Sequence, residues 1–282
     1  MLRSRRPTPV AHDPNALGRA FKERLKSGEM ILGVMVMEYL RPSLVKIMRN
    51  AGFDFIFIEK EHGILDSPVL PDFVQCARDN AMPVISKVGD LNCAEVTRLL
   101  DCGVVGIQLP RTESREQLLE LTEYVKFKPL GRRPGAPCYG NVDYSWPSVY
   151  TEQGRGWFEN ANDSTLMIAH IETELGYKNA EEIITTPYLD IVYVGPYDFS
   201  ISMGHPGDYD HPDVAGPMME ILELCKRHGK PFGATPTGPG SAPKWMAAGA
   251  QVFYPVDELA LVDAGARKTV AEFYDMAEAS CR

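Results

Sequence analysis

No apolar run in the 282 residues approaches the roughly 20 that a bilayer-crossing helix needs, so no membrane partner is expected. The six cysteines, Cys76, Cys93, Cys102, Cys138, Cys225 and Cys281, form no Cys-x-x-Cys pair. That spacing argues against the common zinc and dithiol motifs and reads as reduced, mostly buried thiols of a cytoplasmic protein. Basic residues are scarce, 29 against 38 acidic ones, giving a net charge of −9. A nucleic-acid or anionic-membrane surface would need a basic patch, so neither partner is expected. The chain also has no P-loop, no Gly-x-Gly-x-x-Gly after a strand and no Ser-His-Asp order. These absences leave a small-molecule partner.

The most informative stretch that is present is AGFDFIFIEKEHG, from Ala51 to Gly63. An apolar run, Phe53 to Ile58, leads straight into Glu59, Lys60, Glu61 and His62. Such a run reads as a strand covered on both faces, the habit of parallel sheets, where ligands sit at the carboxyl ends of strands. The same unit recurs along the chain. Strands are expected at Met30 to Met37, Phe53 to Ile58, Pro83 to Val88, Val104 to Leu109, Leu166 to Ile171, Asp190 to Val194, Pro231 to Thr235 and Gln251 to Val256. Helices are expected between them, among them Phe21 to Lys26, Arg41 to Asn50, Pro68 to Asn80, Asn92 to Asp101 with Asn92 as N-cap, Glu113 to Val125, Val214 to His228 and a terminal Leu259 to Ala279. Eight alternating units predict a single (β/α)₈ TIM barrel over residues 21–282, preceded by a flexible N-terminal arm over 1–20. One connection, Lys126 to Asp163, is too long for such a chain and is rich in Gly, Pro, Tyr and Trp. Its aromatics, Tyr139, Tyr144, Trp146 and Tyr150, suit a lid over the substrate or a contact between subunits.

Polar residues gather at the predicted strand ends: Glu59, Glu61 and His62 after the second strand, Ser86 and Lys87 at the third, Gln108 and Arg111 at the fourth. His170, Glu172 and Glu174 follow on the fifth, Gly195-Pro196-Tyr197-Asp198 on the sixth, then Thr235 and Asp257. Glu172 and Asp198 end apolar runs on neighbouring strands. Their carboxylates suit an oxygen-loving divalent ion, Mg²⁺ or Mn²⁺, with Co²⁺ or Zn²⁺ as further candidates. His62 reads either as a general base steadied by Glu59 or as a plain loop histidine. His170 shares a strand face with Glu172 and also reads as a barrel-interior polar residue. His12, His205, His211 and His228 read as surface residues. The loop Thr237-Gly238-Pro239-Gly240-Ser241 is a weak candidate for an anion cradle.

Three ordered motifs, IEKEHG, IETELG and VGPYDFSISMGHPG, together with GRRPG, resemble those of the class II hydroxy-oxo-acid aldolases. These include 4-hydroxy-2-oxoheptanedioate aldolase and 2-keto-3-deoxy sugar-acid aldolases, within the phosphoenolpyruvate/pyruvate-binding barrels. The resemblance spans roughly Met30 to Asp257. It implies a divalent ion held by Glu172 and Asp198, and a pyruvate-like 2-oxo acid chelating that ion. Substrate would be bound by the backbone at Gly195, Tyr197 and Asp198, and by Ser86, His170 and Thr235. His62 with Glu59 would move the proton. The family has an arginine on strand three where this sequence has Ser86 followed by Lys87, and alternation read from Ser86 points Lys87 away. Lys87, Arg133 or Arg111 would therefore supply the cation.

The resemblance further implies a homo-oligomer built from dimers, up to a hexamer, with the terminal helix packed on a neighbouring subunit. The expected activity is carbon–carbon cleavage or formation through a metal-bound pyruvate enolate, with an aldehyde or acyl acceptor. Oxaloacetate decarboxylation or a citrate-synthase-like condensation is the second reading. A non-catalytic oxo-acid-binding barrel comes third.

Overall fold

The computed structural model describes residues 13–63, 68–136, 138–144, 154–237 and 241–280. Among them eight parallel strands close into a barrel in chain order, as the alternating pattern predicts. They are β1 (Ile31–Val36), β2 (Phe55–Ile58), β3 (Val84–Lys87), β4 (Gly106–Leu109), β5 (Leu166–Ile171), β6 (Ile191–Val194), β7 (Phe232–Ala234) and β8 (Val252–Phe253). Closure comes from β8 pairing with β1 through Ile31 with Val252 and Leu32 with Phe253. The helices that carry the argument are α1 (Pro14–Lys26), α2 (Pro42–Ala51), α3 (Leu70–Asp79), α4 (Cys93–Cys102), α5 (Arg115–Val125) and α6 (Gly154–Ser164). After β5 come α7 (Glu174–Lys178), α8 (Ala180–Ile184), α9 (Pro196–Ser202), α10 (Pro212–Arg227), α11 (Ser241–Ala248) and α12 (Glu258–Ser280).

Local chemistry sets the punctuation. The Asn92 side chain accepts from the Ala94 and Glu95 amides and starts α4 as expected. Helices α2 and α4 each stop on a left-handed glycine, Gly52 at φ 100° and Gly103 at φ 102°, whose amides bond back into the last turn. The chain then turns directly into β2 or β4.

Two apolar layers follow from strand alternation. Val34, Val36, Ile56, Ile58, Val84, Ile107, Met167 and Val192 face the helices. Phe55, Phe57, Ile85, Leu166, Ile168, Ile191, Tyr193, Val252 and Tyr254 fill the barrel interior. Room for those rings comes from inward glycines: a side chain at Gly33 would strike the Phe55 ring, and one at Gly233 the Tyr193 ring. Phe57, Tyr254 and Tyr193 then stack, with centroids 4.2 Å apart at both steps and planes within 8°. Gln108 Nε2 donates to Tyr254 Oη at 3.1 Å, and Tyr193 Oη lies 3.0 Å from Thr235 Oγ1. The stack is thus both filled and polar-satisfied.

Two expectations change. The first helix begins at Pro14, with Asp13 as its cap, so residues 14–20 of the expected arm belong to α1 and bury Pro14, Asn15 and Gly18. Residues 1–12 lie outside the described residues. The long connection contains α6 and a 3-10 turn at Gly140–Val142, and the described part around that turn lies beneath the barrel. Gly140 O accepts from Arg78 Nη1 at the end of α3, and a side chain on Gly140 would collide with Cys102 O at the end of α4. Both helix ends lead into the starts of strands, so this part cannot cover its own chain's strand ends. Tyr139 and Tyr144 are exposed there; Trp146 and Tyr150 lie outside the described residues.

Lys126 anchors this underside, its Nζ donating to Asn162 O at 2.5 Å and Thr165 O at 2.9 Å. Burial, helped by Lys22 and opposed by Asp190 and Asp163, brings its pKa down to about 7. In the unfolded chain the value returns to about 10.4. The resulting cost to stability is absent above the unfolded value, grows as pH falls, and is complete below about 7. Lys126→Met is expected to flatten the rise of stability between pH 7 and 10, measured by urea unfolding across that range.

At the other end of the barrel, Glu258 starts α12 and its buried carboxylate accepts from the Met37, Glu38 and Tyr39 amides at 2.6–3.0 Å. It ties the last helix to the loop after β1. Glu258→Ala strands these donors and is expected to cost about 3 kcal/mol, seen as a lower thermal midpoint.

Candidate active site

The carboxyl ends of the strands enclose a cavity of about 510 Å³. Glu59, His62, Lys87, His170, Gly195, Tyr197, Asp198 and Thr235 line it, joined by Met35, Met37, Phe57, Tyr209 and Tyr254. The ring stack forms its floor. His170 rests edge-on against Tyr193 with centroids 5.6 Å apart, and Glu172 comes two residues later, at the end of β5.

Glu172 is 1 % exposed. Its Oε1 accepts from the Arg111 amide at 2.7 Å, a bond made possible by the left-handed φ of 41° at Arg111. Its Oε2 has no hydrogen-bond partner. His170 Nδ1 lies 3.1 Å from that oxygen but without the alignment of a hydrogen bond, so both imidazole nitrogens are also buried and unpartnered. Burial pushes the Glu172 carboxyl up to about 7, against the Lys87 ammonium and the Arg111 amide; Asp198 adds repulsion. Burial, aided by Lys87, holds His170 well below the usual imidazole range. Asp198 sits in the first turn of α9, across from Glu172. A buried, unfinished carboxylate with a second carboxylate acting on it fits a hard divalent cation by its donor chemistry.

Gly195 keeps this space open. A methyl there would collide with His170 Nε2 and come within 2.9 Å of Glu172 Oε2.

Lys87 and Ser86 exchange the expected orientations. Ile85 lies in the barrel interior, so Lys87 points inward with it, while Ser86 shares the outer face with Val84. Reading alternation from Ser86 reverses the faces because the sequence does not show which residue of the run enters the interior. The Ser86 hydroxyl donates to Lys87 O at 3.0 Å and is not among the cavity-lining residues. Strand three therefore delivers its cation into the cup without a bulge. Burial works against the Lys87 ammonium, yet Glu172, Glu59 and Glu61 together outweigh it and raise its pKa. Glu61 Oε2 pairs with Nζ directly, and Glu59 Oε2 is 3.4 Å away.

Glu59 does not hold His62 by the ring. Its Oε1 accepts from the Glu61 amide at 2.6 Å and the His62 amide at 3.3 Å, shaping the turn instead. The carboxylate beside the exposed imidazole is Glu61, 3.8 Å from Nε2, which also meets Arg111 Nη2 at 3.1 Å. Arg133 is not in the cup. It is buried under the barrel, paired with Asp101 at 3.0 Å and stacked over Phe127. Helix α5 runs back toward the strand starts, so GRRPG emerges at the far end. Asp257 caps α12 through the Ala260 amide, and the 238–240 part of the glycine-rich loop lies outside the described residues. Tyr209 and the Arg111 amide were missed from sequence; a loop residue and a backbone donor carry no motif.

Residues 34–238 match the family model described as HpcH/HpaI aldolase/citrate lyase. The chain belongs to this family. Its class of activity is that of a carbon–carbon lyase of the aldolase type, as the motifs imply. The 2-dehydro-3,6-dideoxy-6-sulfogluconate aldolase of Pseudomonas putida is 30% identical over 210 residues, 74% of this chain and 79% of that protein. The hydroxypyruvate/pyruvate aldolase of Roseobacter denitrificans is 28% identical over 235 residues, 82% of this chain and 88% of that protein. Among solved structures, the HpcH/HpaI aldolase of Desulfitobacterium hafniense superposes with a TM-score of 0.82 at 25% identity, covering 89% of this chain and 95% of that one.

Gly195→Ala is expected to lower turnover by roughly 100-fold through displacement of His170 and Glu172. Its melting midpoint by circular dichroism should fall only modestly: the extended backbone at Gly195 accepts alanine, and the cost is that of shifting the buried His170 and Glu172 side chains, about 1–3 kcal/mol.

Proposed function

We propose that this member of the family is a divalent-metal-dependent aldolase acting on a pyruvate-like 2-oxo acid. The observation that carries the reading is the orphaned Glu172 Oε2, which lies beside His170 and Gly195 in the wall of a cavity that Asp198 and the Lys87 cation also line. Glu172 and Asp198 would hold the ion, Mg²⁺ or Mn²⁺ by their all-oxygen chemistry. When bound, it supplies Lewis acidity toward a 2-oxo acid's carboxylate and keto oxygen.

The rest is done by the chain itself. Lys87, fixed by Glu61 and Glu59, provides a preorganised positive charge for the oxygen on which negative charge develops as the carbon–carbon bond breaks. Thr235 and the ring floor exclude water below. His62, at the rim beside Glu61, accepts the proton from the hydroxyl of the departing aldehyde carbon and returns it in the reverse direction. Tyr197 and Tyr209 border the space left for the aldehyde or acyl acceptor. From Val262 onward α12 is exposed, with Val262, Val270, Phe273, Tyr274 and Met276 each more than half accessible. That supports a homo-oligomer in which this helix packs on a neighbouring copy. Among the described residues Cys76, Cys93, Cys102, Cys138 and Cys225 form no disulfide, which supports a cytoplasmic location.

The test is deuterium exchange at the methyl group of pyruvate, followed by NMR with Mg²⁺ or Mn²⁺ and then with chelator. Exchange should require the metal and Glu172, and Lys87→Met should slow it by roughly 100- to 1,000-fold. His62→Ala should lose aldol cleavage. Exchange that survives chelation, or a wild type that leaves both pyruvate and oxaloacetate untouched, would overturn the reading.

A further inference from the structure

Outside the catalytic cavity, the loop that joins α9 to α10 reads GHPGDYDHPDV from Gly204 to Val214. It brings together two histidines that the sequence assigns to the surface. His205 and His211 stack with centroids 3.5 Å apart and planes 17° from parallel. Asp213 Oδ2 lies 3.6 Å from His205 Nε2 and 3.8 Å from His211 Nδ1. One ligand atom from each residue falls within 4.8 Å of the others, and among the described residues this is the one trio of His, Cys, Asp and Glu to do so.

We propose that His205, His211 and Asp213 form a transition-metal site, of the kind that takes Zn²⁺, separate from the Glu172 and Asp198 pair. Bonds of about 2.0–2.1 Å in a tetrahedron set ligand atoms roughly 3.3 Å apart, so the two Asp213-to-imidazole separations need to close by about half an ångström, while the stacked rings turn out of parallel to bring both in-plane lone pairs onto one ion. Imidazole donors select zinc, copper or nickel over magnesium, whereas the catalytic carboxylates prefer the harder ions. The loop fixes the backbone that carries these residues beforehand. The His205 amide donates to Ser200 O at 2.8 Å, Gly207 N to Ser200 Oγ at 3.0 Å and Asp208 N to His205 O at 3.0 Å. Asp208 and Asp210 add negative charge between the histidines.

His211 has a structural use already, since its Nδ1 accepts from the Asp213 amide at 3.2 Å and caps α10. That bond is long, and a bound ion would replace it with a stronger tie between the same two residues. Three protein ligands leave a fourth position to water. Tyr209 lies between the two histidines and lines the catalytic cavity, so an ion here would pin that wall to the first turn of α10.

The full-length chain, freed of metal and then saturated with Mg²⁺, is titrated with Zn²⁺ by calorimetry, alongside His205→Asn, His211→Asn and Glu172→Ala. Asparagine at 211 keeps a helix cap, and far-UV circular dichroism verifies each fold. A zinc-binding step is expected in the wild type and in Glu172→Ala, weakened by roughly 100-fold or more in both histidine variants. Uptake unchanged in the histidine variants, absent in the wild type, or lost in Glu172→Ala alone would overturn the site.

Discussion

Inward alternation of the barrel strands is the constraint on which the rest depends. Each strand sends every second residue into a space that parallel closure fixes, and that space has to be filled without voids. Here it is filled by pairing absent side chains with large ones: Gly33 against Phe55, Gly233 against Tyr193. The same alternation, continued one step further along each strand, sets the chemistry. Phe57 is followed by Glu59, Ile85 by Lys87, Ile168 by His170 and Tyr193 by Gly195. Packing and the candidate site thus share one register, and a slip of one residue in any strand would export both.

Electrostatics at the top of the barrel is a closed account of a few buried charges. Glu172 is costly to bury, and Lys87, the Arg111 amide and the space beside Gly195 are arranged around it. Lys87 in turn is held by Glu59 and Glu61, and Glu59 also shapes the turn that presents His62. Glu258 braces the loop after β1 from the opposite side of the cup. Each contact reaches across a different strand, so the site is rigid because the barrel is.

Much of this is legible in the sequence. The eight apolar runs, the Asn92 cap, the glycine stops and the carboxylates at strand ends are local signals, and local signals survive without coordinates. What fails is anything decided by three-dimensional phase. Whether Ser86 or Lys87 enters the cup depends on which residue of the run first faces inward, and PVISKV is apolar enough on both faces to hide that. Arg133 looks catalytic in a glycine-rich stretch, yet helix α5 carries it to the far end before the motif begins. Glu59 and His62 are three residues apart, but the turn directs the carboxylate to backbone amides. Glu258 and its three donors are separated by more than 200 residues, beyond any pattern that a linear reading can hold.

The stacked rings of Phe57, Tyr254 and Tyr193 have a kinetic meaning as well as a packing one. They stop the barrel like a cork, leaving the cup with a single mouth. On the proposed aldolase reading, both fragments of one cleavage leave by that mouth, and the one held beside Glu172 has the longer way out.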